Sequence, residues 1–371
     1  MSGARSAGTA SSPTIAPAAI SPGSPTSAEG SAYALGDFLR VVDPGAPRWL
    51  AHLTADLAAA TALVGFDGFH LDQYGWPKAA IRADGTPVDL ADGFVAMLRD
   101  VRAALPQARL VFNNVNDFPT WATAAAPTDV VYIEVWPPHE RLADLAAVVT
   151  RARAAAAGKP VVVAAYLSTF ATGERSGAEE ALRLTMATLW SHGATHLIAG
   201  EEGRLLVDPY YVRNHPAAPE TLDLLTRWSD FLVAHHDLLL DPGIDEVTGA
   251  YADHYNDDVD VTIAGASVGG TAAAGTVWRR VTRTAYGLVV HLVNLASVTD
   301  PRWDTPHPTP SDLTGAVLRV RRVGGGTPEV AAADPDGSGR LEPLEVALDG
   351  THAHIALPPL RTWLVVLIRA R

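Results

Sequence analysis

Two acidic residues, Asp72 and Glu134, each stand at the end of a short apolar run that the pattern predicts to be a strand. Alternation before Asp72 places Phe69 and Leu71 on one face of the strand, and His70 and Asp72 on the other. Enzymes that cleave glycosidic bonds use two such carboxyls, one as nucleophile and one as acid/base, ~5–5.5 Å apart when configuration is retained. The sequence therefore predicts that Asp72 and Glu134 form a catalytic pair.

A structural interpretation of the same acids stays open. An aspartate at a strand end often caps the helix that follows. Asp67 and Asp129 stand where a strand begins or a turn forms, and a structural role suffices for them. Spacing alone does not separate a catalytic pair from two capping residues. Trp136, two residues beyond Glu134, would offer a flat apolar surface to a sugar ring.

Strand-like and helix-like segments alternate from Tyr33 to Leu240, which predicts a parallel sheet covered by helices. Polar residues follow the strand ends, namely Asp72, Gln73, Asn113, Asn114, Glu134, Tyr166 and Glu201. In a (β/α)8 barrel this edge carries the active site, whereas an open doubly wound sheet gathers its site at one switch point. Because five successive strands contribute, a closed barrel is favoured. No glycine-rich phosphate loop follows any predicted strand.

The pattern changes at Asp241, where short alternating strands separated by turn residues begin. We therefore predict three parts: a disordered tail rich in Ser, Ala and Pro over residues 1–31, a partial catalytic (β/α) barrel over 32–240, and a C-terminal antiparallel β-sandwich-like domain over 241–371. About six strands precede Asp241, counting one between Tyr33 and Val42. A complete barrel has eight strands, so we expect roughly the first two βα units to be lacking.

Composition narrows the functional classes. Hydrophobic residues make up 48% of the 371 residues, and the formal net charge is −13. This acidity argues against a nucleic acid or an anionic membrane as partner. The absence of cysteine excludes a disulfide framework and a thiolate metal site. No apolar run reaches the ~20 residues of a membrane span, and the opening residues lack a signal-peptide pattern.

Two patterns suggest metal sites, and we predict none. His70 and His196 lie in predicted strands without the spacing of a zinc motif. The acidic positions of 334–345 match a calcium-binding EF-hand loop, but Pro343 stands where the exiting helix should start. A polar hairpin turn explains that segment without calcium. No cofactor is expected.

Several motifs in register resemble glycoside hydrolase family 66, the family of endo-dextranases and cycloisomaltooligosaccharide glucanotransferases. They are, in chain order, FDGFHLDQYG, FNNVN, YIEVWPP, AAYLS, HLIAGE, DPYYVRNH, WSDFLVAHHDLLLD, VHLVNL and LPPLRTWLVVLI. The resemblance extends from about Val42 to the C-terminus. Matched motif by motif, it implies that Asp72 is the nucleophile and Glu134 the general acid/base. It also implies substrate-binding positions at His70, Gln73, Asn113, Asn116, Trp136, Tyr166 and Glu201.

The same resemblance implies an activity and leaves alternatives. The expected enzyme is an extracellular, monomeric endo-dextranase that cleaves internal α-1,6-glucosidic bonds with retention. The cyclising branch of the family carries a carbohydrate-binding insertion, for which the chain between Tyr166 and His196 has no room beyond one helix. Glucanotransferase activity is the alternative. The resemblance also implies that an N-terminal immunoglobulin-like domain is missing. A further alternative is therefore that the chain is an inactive fragment, a sugar-binding remnant or the product of a misplaced start codon.

Overall fold

The computed structural model describes residues 34–35, 39–75, 78–82, 85–209, 213–252, 256–322 and 325–369. Its helices are α1 (Pro47–Val64), α2 (Leu90–Ala104), α3 (Thr120–Thr123), α4 (Leu142–Ala155), α5 (Thr169–Thr172), α6 (Arg175–Ser191), α7 (Pro219–Ala234) and α8 (His236–Leu239). Short 3₁₀ turns cover Glu201–Gly203 and Thr248–Tyr251. The tail predicted over residues 1–31 lies outside the described residues.

The strands divide between the two halves of the chain. The first half contains β1 (Ala34–Leu35), β2 (Leu39–Arg40), β3 (Gly68–Leu71), β4 (Ala80–Ile81), β5 (Pro87–Val88), β6 (Arg109–Val115), β7 (Val130–Glu134), β8 (Val161–Ala164), β9 (Ala194–His196), β10 (Arg204–Leu205) and β11 (His215–Pro216). The second half contains β12 (Asp245–Glu246), β13 (Val259–Thr262), β14 (Ser267–Gly269), β15 (Thr276–Thr284), β16 (Gly287–Asn294), β17 (Val317–Arg321), β18 (Glu329–Ala333), β19 (Glu342–Pro343), β20 (Ala347–Asp349), β21 (His352–Ala356) and β22 (Trp363–Arg369).

Five parallel strands form the central sheet of the first half, in the order β3-β6-β7-β8-β9. Val131, Ile133, Val161 and Val163 are buried in it, as expected for strands covered on both faces. Helices α2, α3, α4 and α6 lie in the four connections between successive strands of this sheet. The predicted α/β architecture, a parallel sheet followed by β-rich sheets, is confirmed.

The strand predicted between Tyr33 and Val42 is wrong as a member of this sheet. In the described residues of that segment, Ala34–Leu35 pairs antiparallel with Leu39–Arg40. The sequence between them contains Gly36 and Asp37, which are turn-forming residue types that weaken a strand. Two short pieces were thus joined into one apparent strand, and the described parallel sheet has five strands rather than six.

Helix α2 illustrates how the sequence positions the sheet. The Asp89 side chain accepts a hydrogen bond from the Asp92 amide at 3.0 Å and so caps the helix start. Phe94, Leu98 and Val101 recur at helical spacing and are buried. This apolar face packs against β6 in one core cluster that includes Phe112. The apolar face of α2, a capped amphipathic helix, therefore packs against the strand that carries Asn113 and fixes its position.

The second half contains two sheets that share a core. One has the order β12-β15-β16-β22-β18-β19, with β14 beside β15, and the other has the order β13-β17-β21-β20. Alternate residues of the smaller sheet, such as Val261, Leu318 and Ile355, are buried against Leu292 and Val366 of the larger one. Period-two alternation therefore marks the inner faces of two packed sheets.

An aromatic cluster joins the helices of the first half to the larger C-terminal sheet. The ring centroids of Trp190 and Trp228 lie 5.8 Å apart, and Trp363 lies 6.4 and 6.0 Å from them. Each of these indoles is no more than 3% exposed. Large aromatic side chains bury 150–250 Å² each, so this contact is a substantial part of the core rather than a surface touch.

The segment that resembles an EF-hand is a turn between the antiparallel strands β18 and β19. Asp334 accepts hydrogen bonds from the amides of Asp336, Gly337 and Gly339, which closes the turn. The Asp336 carboxylate accepts from Trp228 Nε1 at 3.0 Å and pairs with Arg183 at 3.3 Å. Its oxygens therefore serve the contact with α6 and α7.

Replacing Asp336 with alanine should cost about 2 kcal/mol in the free energy of unfolding, because the Trp228 indole N–H loses its acceptor and the half-buried Arg183 guanidinium keeps only Glu180 of its two carboxylate partners. Glu345, an exposed position of the same EF-hand pattern, provides the control, and Glu345→Ala should change stability by less than about 0.5 kcal/mol. Urea unfolding with and without calcium tests this. Calcium-dependent stabilisation lost in both variants would instead support an ion site.

Within the described residues, no group of three or more His, Cys, Asp or Glu side chains could hold a metal ion. No helix in the described part of the chain has the length and apolar character to span a membrane.

Candidate active site

Asp72 and Glu134 lie on either side of the middle strand of a three-strand group. Asp72 directly follows β3 and is exposed, whereas Glu134 is the last residue of β7 and is 8% exposed. Asn113, on the intervening β6, donates from Nδ2 to Asp72 Oδ1 at 2.9 Å and to Glu134 Oε2 at 3.0 Å. The two carboxylate oxygens therefore lie within about 6 Å of each other, a separation that suits a retaining pair.

Two tyrosines and a histidine surround this pair. The rings of His70 and Tyr132 lie 4.6 Å apart, edge to face. Burial, followed by the negative charges of Glu134 and Asp72, raises the pKa of Tyr132 to about 12, although a hydrogen bond with Tyr166 opposes the shift. Burial, the neighbouring Tyr132 and the charge of Glu134 also raise the pKa of Tyr166. Both hydroxyls therefore stay protonated near neutral pH and can donate hydrogen bonds.

His70 is uncharged near neutral pH. Part of its ring is open to solvent, but desolvation against the site lowers its pKa below 6.5 and outweighs the attraction of the Asp72 and Glu134 carboxylates. A neutral imidazole adds no positive charge beside the pair. The negative charge of Asp72 is consequently available to the chemistry rather than neutralised by an adjacent cation.

Trp136 and Tyr166 form an aromatic wall beyond Glu134. Their ring centroids lie 5.8 Å apart with a 49° angle between the planes. Both side chains are partly buried, so each keeps an accessible face. Flat apolar surfaces of this kind suit the apolar face of a pyranose ring.

The amide of Gln73 is used within the protein. Its Nε2 donates to the Phe118 carbonyl at 2.6 Å, and its Oε1 accepts from the Gly75 amide at 3.1 Å. Both ends of the side chain therefore hold the loop that follows β6 against the loop that follows β3. Contact between Gln73 and substrate stays a prediction.

Asn116 likewise holds a loop. Its backbone has a positive φ of 56°, its Nδ2 donates to the Pro137 carbonyl at 2.9 Å, and its Oδ1 accepts from the Trp136 amide at 3.2 Å. These bonds fix the backbone that carries Trp136. Asn116 thus supports the Trp136–Tyr166 aromatic wall, and its contact with substrate stays a prediction.

Glu201 is separate from the acid pair in its contacts. It begins the 3₁₀ turn after β9, is exposed, and has no hydrogen bond or ion pair with another described side chain. His196, on β9, donates from Nε2 to the Ala165 carbonyl, 2.8 Å away. Desolvation lowers the pKa of His196 to about 4 despite that bond. A neutral His196 therefore supports the backbone next to Tyr166.

Residues 300–307 of the C-terminal half hold two loops of the site in place. Trp303 Nε1 donates to the His139 carbonyl at 2.7 Å, beyond the loop that carries Trp136. Asp304 accepts from Ser168 Oγ at 2.5 Å and from the Thr169 amide at 3.0 Å, just beyond Tyr166. The β-rich half therefore holds in place the loops that carry Trp136 and Tyr166.

Sequence reasoning missed Tyr132 and the supporting role of Asp304. Tyr132 lies two residues before Glu134 on β7, so period-two alternation places both on the same face and could have identified it. Asp304 contacts Ser168 across 136 positions of the chain, and no local pattern predicts such a contact.

Comparison with known proteins gives three findings. Residues 31–367 match the family model described as glycosyl hydrolase family 66. Two cycloisomaltooligosaccharide glucanotransferases of Niallia circulans are each 27% identical to the chain, over 201 and 199 residues. Each of these matches covers 52% of this chain and 20% of the relative, so the matched part spans about a fifth of those proteins.

The third finding concerns the fold. The crystal structure of a Paenibacillus cycloisomaltooligosaccharide glucanotransferase complexed with cycloisomaltoheptaose superposes with a TM-score of 0.79 at 18% identity. The match covers 91% of this chain and 68% of that one. At this identity the likeness shows that the two chains share a fold, including the parallel sheet and the β-rich part that follows it.

Proposed function

Because the chain belongs to glycosyl hydrolase family 66, we propose that it cleaves internal α-1,6-glucosidic bonds of dextran by a retaining double displacement. One observation carries this proposal. The Asp72 and Glu134 carboxylates are held within about 6 Å by a single amide nitrogen, at the carboxyl ends of parallel strands. Such strand ends are where α/β sheets place their active sites.

In the first step Asp72 attacks the anomeric carbon, and the bond between that carbon and the glycosidic oxygen breaks. Glu134 gives its proton to the departing oxygen, which leaves as a hydroxyl. In the second step a water attacks the same carbon, its proton passes to Glu134, and the carboxylate of Asp72 is released. Two inversions at one carbon give net retention.

The neighbouring side chains suit these roles. Glu134 is buried beside two tyrosine hydroxyls that stay protonated, so donors surround the carboxylate when it is charged. Asp72 lies on the open side, where a sugar can reach it. Trp136 and Tyr166 provide the surface on which a glucose ring would stack.

The five parallel strands are proposed to belong to a (β/α)8-type barrel. Support comes from their order in the sheet, which follows their order in the chain, and from the helical connections between them. The placement of Asp72, Asn113 and Glu134 at successive strand ends is the arrangement that such barrels use for catalysis.

Glucanotransferase activity is the second candidate, favoured by the names of the matched relatives and of the superposed structure. Hydrolysis is preferred because the fully described stretch between β8 and β9 contains helices α5 and α6 and no inserted domain. The family resemblance implies a carbohydrate-binding insertion in the cyclising branch. The two activities differ only in whether water or a sugar hydroxyl attacks the covalent intermediate.

Product analysis distinguishes these activities. The purified chain should release linear isomaltooligosaccharides and new reducing ends from dextran, and Glu134→Gln should release neither. Asp230→Asn, an exposed carboxylate-to-amide change on α7, is the matched control and should retain full activity. Cyclic products without new reducing ends would favour the glucanotransferase. A wild-type chain that yields no product from dextran or isomaltooligosaccharides would refute both.

A further inference from the structure

The Asn113 amide occupies a position that a substrate contact alone does not explain. The side chain is 5% exposed and lies between the two acids. Strand β6 pairs with β3 on one side and β7 on the other, which brings this one residue to both carboxylates. The amide therefore acts on the acids themselves.

The orientation of this amide follows from its neighbours. The ionised Asp72 nucleophile only accepts hydrogen bonds, so the NH2 group, and not the carbonyl, must face Asp72, and the same nitrogen then also lies 3.0 Å from Glu134 Oε2. Each of the two N–H bonds serves one acid. The amide oxygen Oδ1 is buried and has no hydrogen-bond partner among the described residues. An unpaired buried oxygen is costly, which indicates that the amide is held in this orientation by its two strong acceptors.

The two oxygens of Asp72 are consequently unequal. Oδ1 accepts from Asn113 Nδ2 at 2.9 Å and from the Gln73 amide at 2.8 Å. Oδ2 receives no hydrogen bond from the described residues. Donors withdraw electron density from the oxygen they bind, so Oδ2 keeps the greater nucleophilicity. At Glu134, the Asn113 bond falls on Oε2, which favours Oε1 as the oxygen that carries the proton, and the Tyr166 hydroxyl is a further hydrogen-bond partner of this carboxyl group.

We propose that Asn113 is a positioning residue that makes Asp72 Oδ2 the attacking oxygen and Glu134 Oε1 the proton donor. This inference rests on the proposed function. The bond from Oδ2 to the anomeric carbon forms as the glycosidic carbon–oxygen bond breaks, and the proton on Oε1 passes to the departing oxygen. Asn113 exchanges no proton. It fixes the rotation of both carboxyl groups through hydrogen bonds that are present before substrate arrives.

Titratable side chains on the neighbouring strands also face Asp72 and Glu134 and can affect the measured pH dependence of the rate. Among the described residues, they are His70 on β3, Tyr132 on β7 and Tyr166 after β8. The tyrosines stay protonated through the neutral range, since their pKa values are raised. His70 is the one neighbour with an acidic titration, because its pKa is lowered below 6.5. Repeating the measurement in a His70→Gln background removes its contribution.

Two substitutions separate hydrogen-bond donation from shape. Asn113→Ala removes both N–H donors and should lower kcat by about a hundredfold, with KM changed less than about threefold. Both limbs of the pH profile should move to higher pH, because a lost donor disfavours the charged carboxylates. Asn113→Asp keeps the shape but replaces the donor with an acceptor, so it should be no more active than Asn113→Ala.

Asn114→Ala is the matched control. Asn114 is the next residue on β6, is 2% exposed, and its side chain bonds Thr123 Oγ1 and the Tyr132 carbonyl instead of the acids. Its loss should lower stability and leave both limbs of the profile in place. Limbs that shift equally in Asn114→Ala, or an Asn113→Asp enzyme with near-normal kcat and an unmoved profile, would overturn the proposal.

A second readout does not need activity. Carbon-13 NMR of the carboxyl groups, with signals assigned through Asp72→Asn and Glu134→Gln, gives the titration midpoint of each acid. Asn113→Ala should raise both midpoints relative to the wild-type chain. If the wild-type chain fails to act on dextran, the proposed function fails while this titration still tests the hydrogen bonds. Unchanged midpoints would refute the positioning role in either case.

Discussion

Substitution of either acid by alanine should lower the rate on dextran by at least about a thousandfold, and azide should then restore each variant with a different stereochemical outcome. In Asp72→Ala, azide takes the place of the missing carboxylate and attacks the anomeric carbon once. The product should be the β-glycosyl azide, inverted from the α-linked substrate. An activated α-isomaltosyl fluoride serves as substrate, because fluoride leaves without protonation.

Glu134→Ala should give the opposite configuration. Asp72 still forms the covalent intermediate in this variant, and azide replaces the water that Glu134 would otherwise activate. Two successive inversions then yield the α-glycosyl azide. Assignment of the two products by proton NMR distinguishes the nucleophile from the acid/base, which a loss of activity alone does not. The same configuration from both variants would contradict the assigned roles.

The distinction is sharp because the two acids lie in different surroundings. Asp72 is exposed and keeps one oxygen free of hydrogen bonds, whereas Glu134 is buried beside Tyr132 and Tyr166. Because Asp72 is exposed to solvent, azide should reach its position directly. A small cavity left at Glu134 must admit azide on the same face as water. The matched control is Asp230→Asn, which should show no azide dependence.

The family and the broad architecture could be predicted from the sequence, because both depend on local motifs. The runs around Asp72, Glu134 and Tyr166 are contiguous and stand at strand ends, where alternation and turn residues are informative. The family assignment and the succession of a parallel sheet and β-rich sheets are confirmed. The roles of the individual site residues remain predictions.

What could not be predicted depends on register and on distant contacts. Gln73, Asn113 and Asn116 all carry side-chain amides near predicted strand ends, and the sequence does not distinguish their roles. In the structure Asn113 bridges the two acids, whereas Gln73 and Asn116 hold loops. The bridging position of Asn113 arises because β6 pairs with both β3 and β7, and these pairings between distant segments cannot be predicted from any one segment alone. The short Ala34–Leu35 and Leu39–Arg40 strands were misassigned because apolar residue types continue through both of them.

The interface between the two halves should make stability strongly dependent on pH. His192, 7% exposed, and His291, 1% exposed, are buried beside Arg280 at this interface. Burial, and then the charge of Arg280, hold the pKa of both histidines well below 6.5, although a hydrogen bond to the Thr188 carbonyl opposes this at His192. Both rings are therefore neutral in the folded protein.

The sign of the effect follows from these lowered pKa values. The unfolded chain binds protons at both histidines once the pH falls below about 6.5, and the folded chain does not. The free energy of unfolding should thus be at its full value above that pH and decline below it. Each histidine contributes at most about 1.4 kcal/mol per pH unit until its folded pKa is reached.

His291→Leu should remove one of these two contributions. His291 stacks on Trp363 with centroids 6.0 Å apart, and neither ring nitrogen has a hydrogen-bond partner among the described residues, so an apolar replacement leaves no donor unpaired. Urea unfolding between about pH 5 and pH 7.5 should show the slope reduced by about one proton. Val289→Ala, a buried and non-titrating change on the same strand, is the control and should lower stability without changing the slope. An unchanged slope in His291→Leu would mean that His291 accepts a proton while folded, and would refute this prediction.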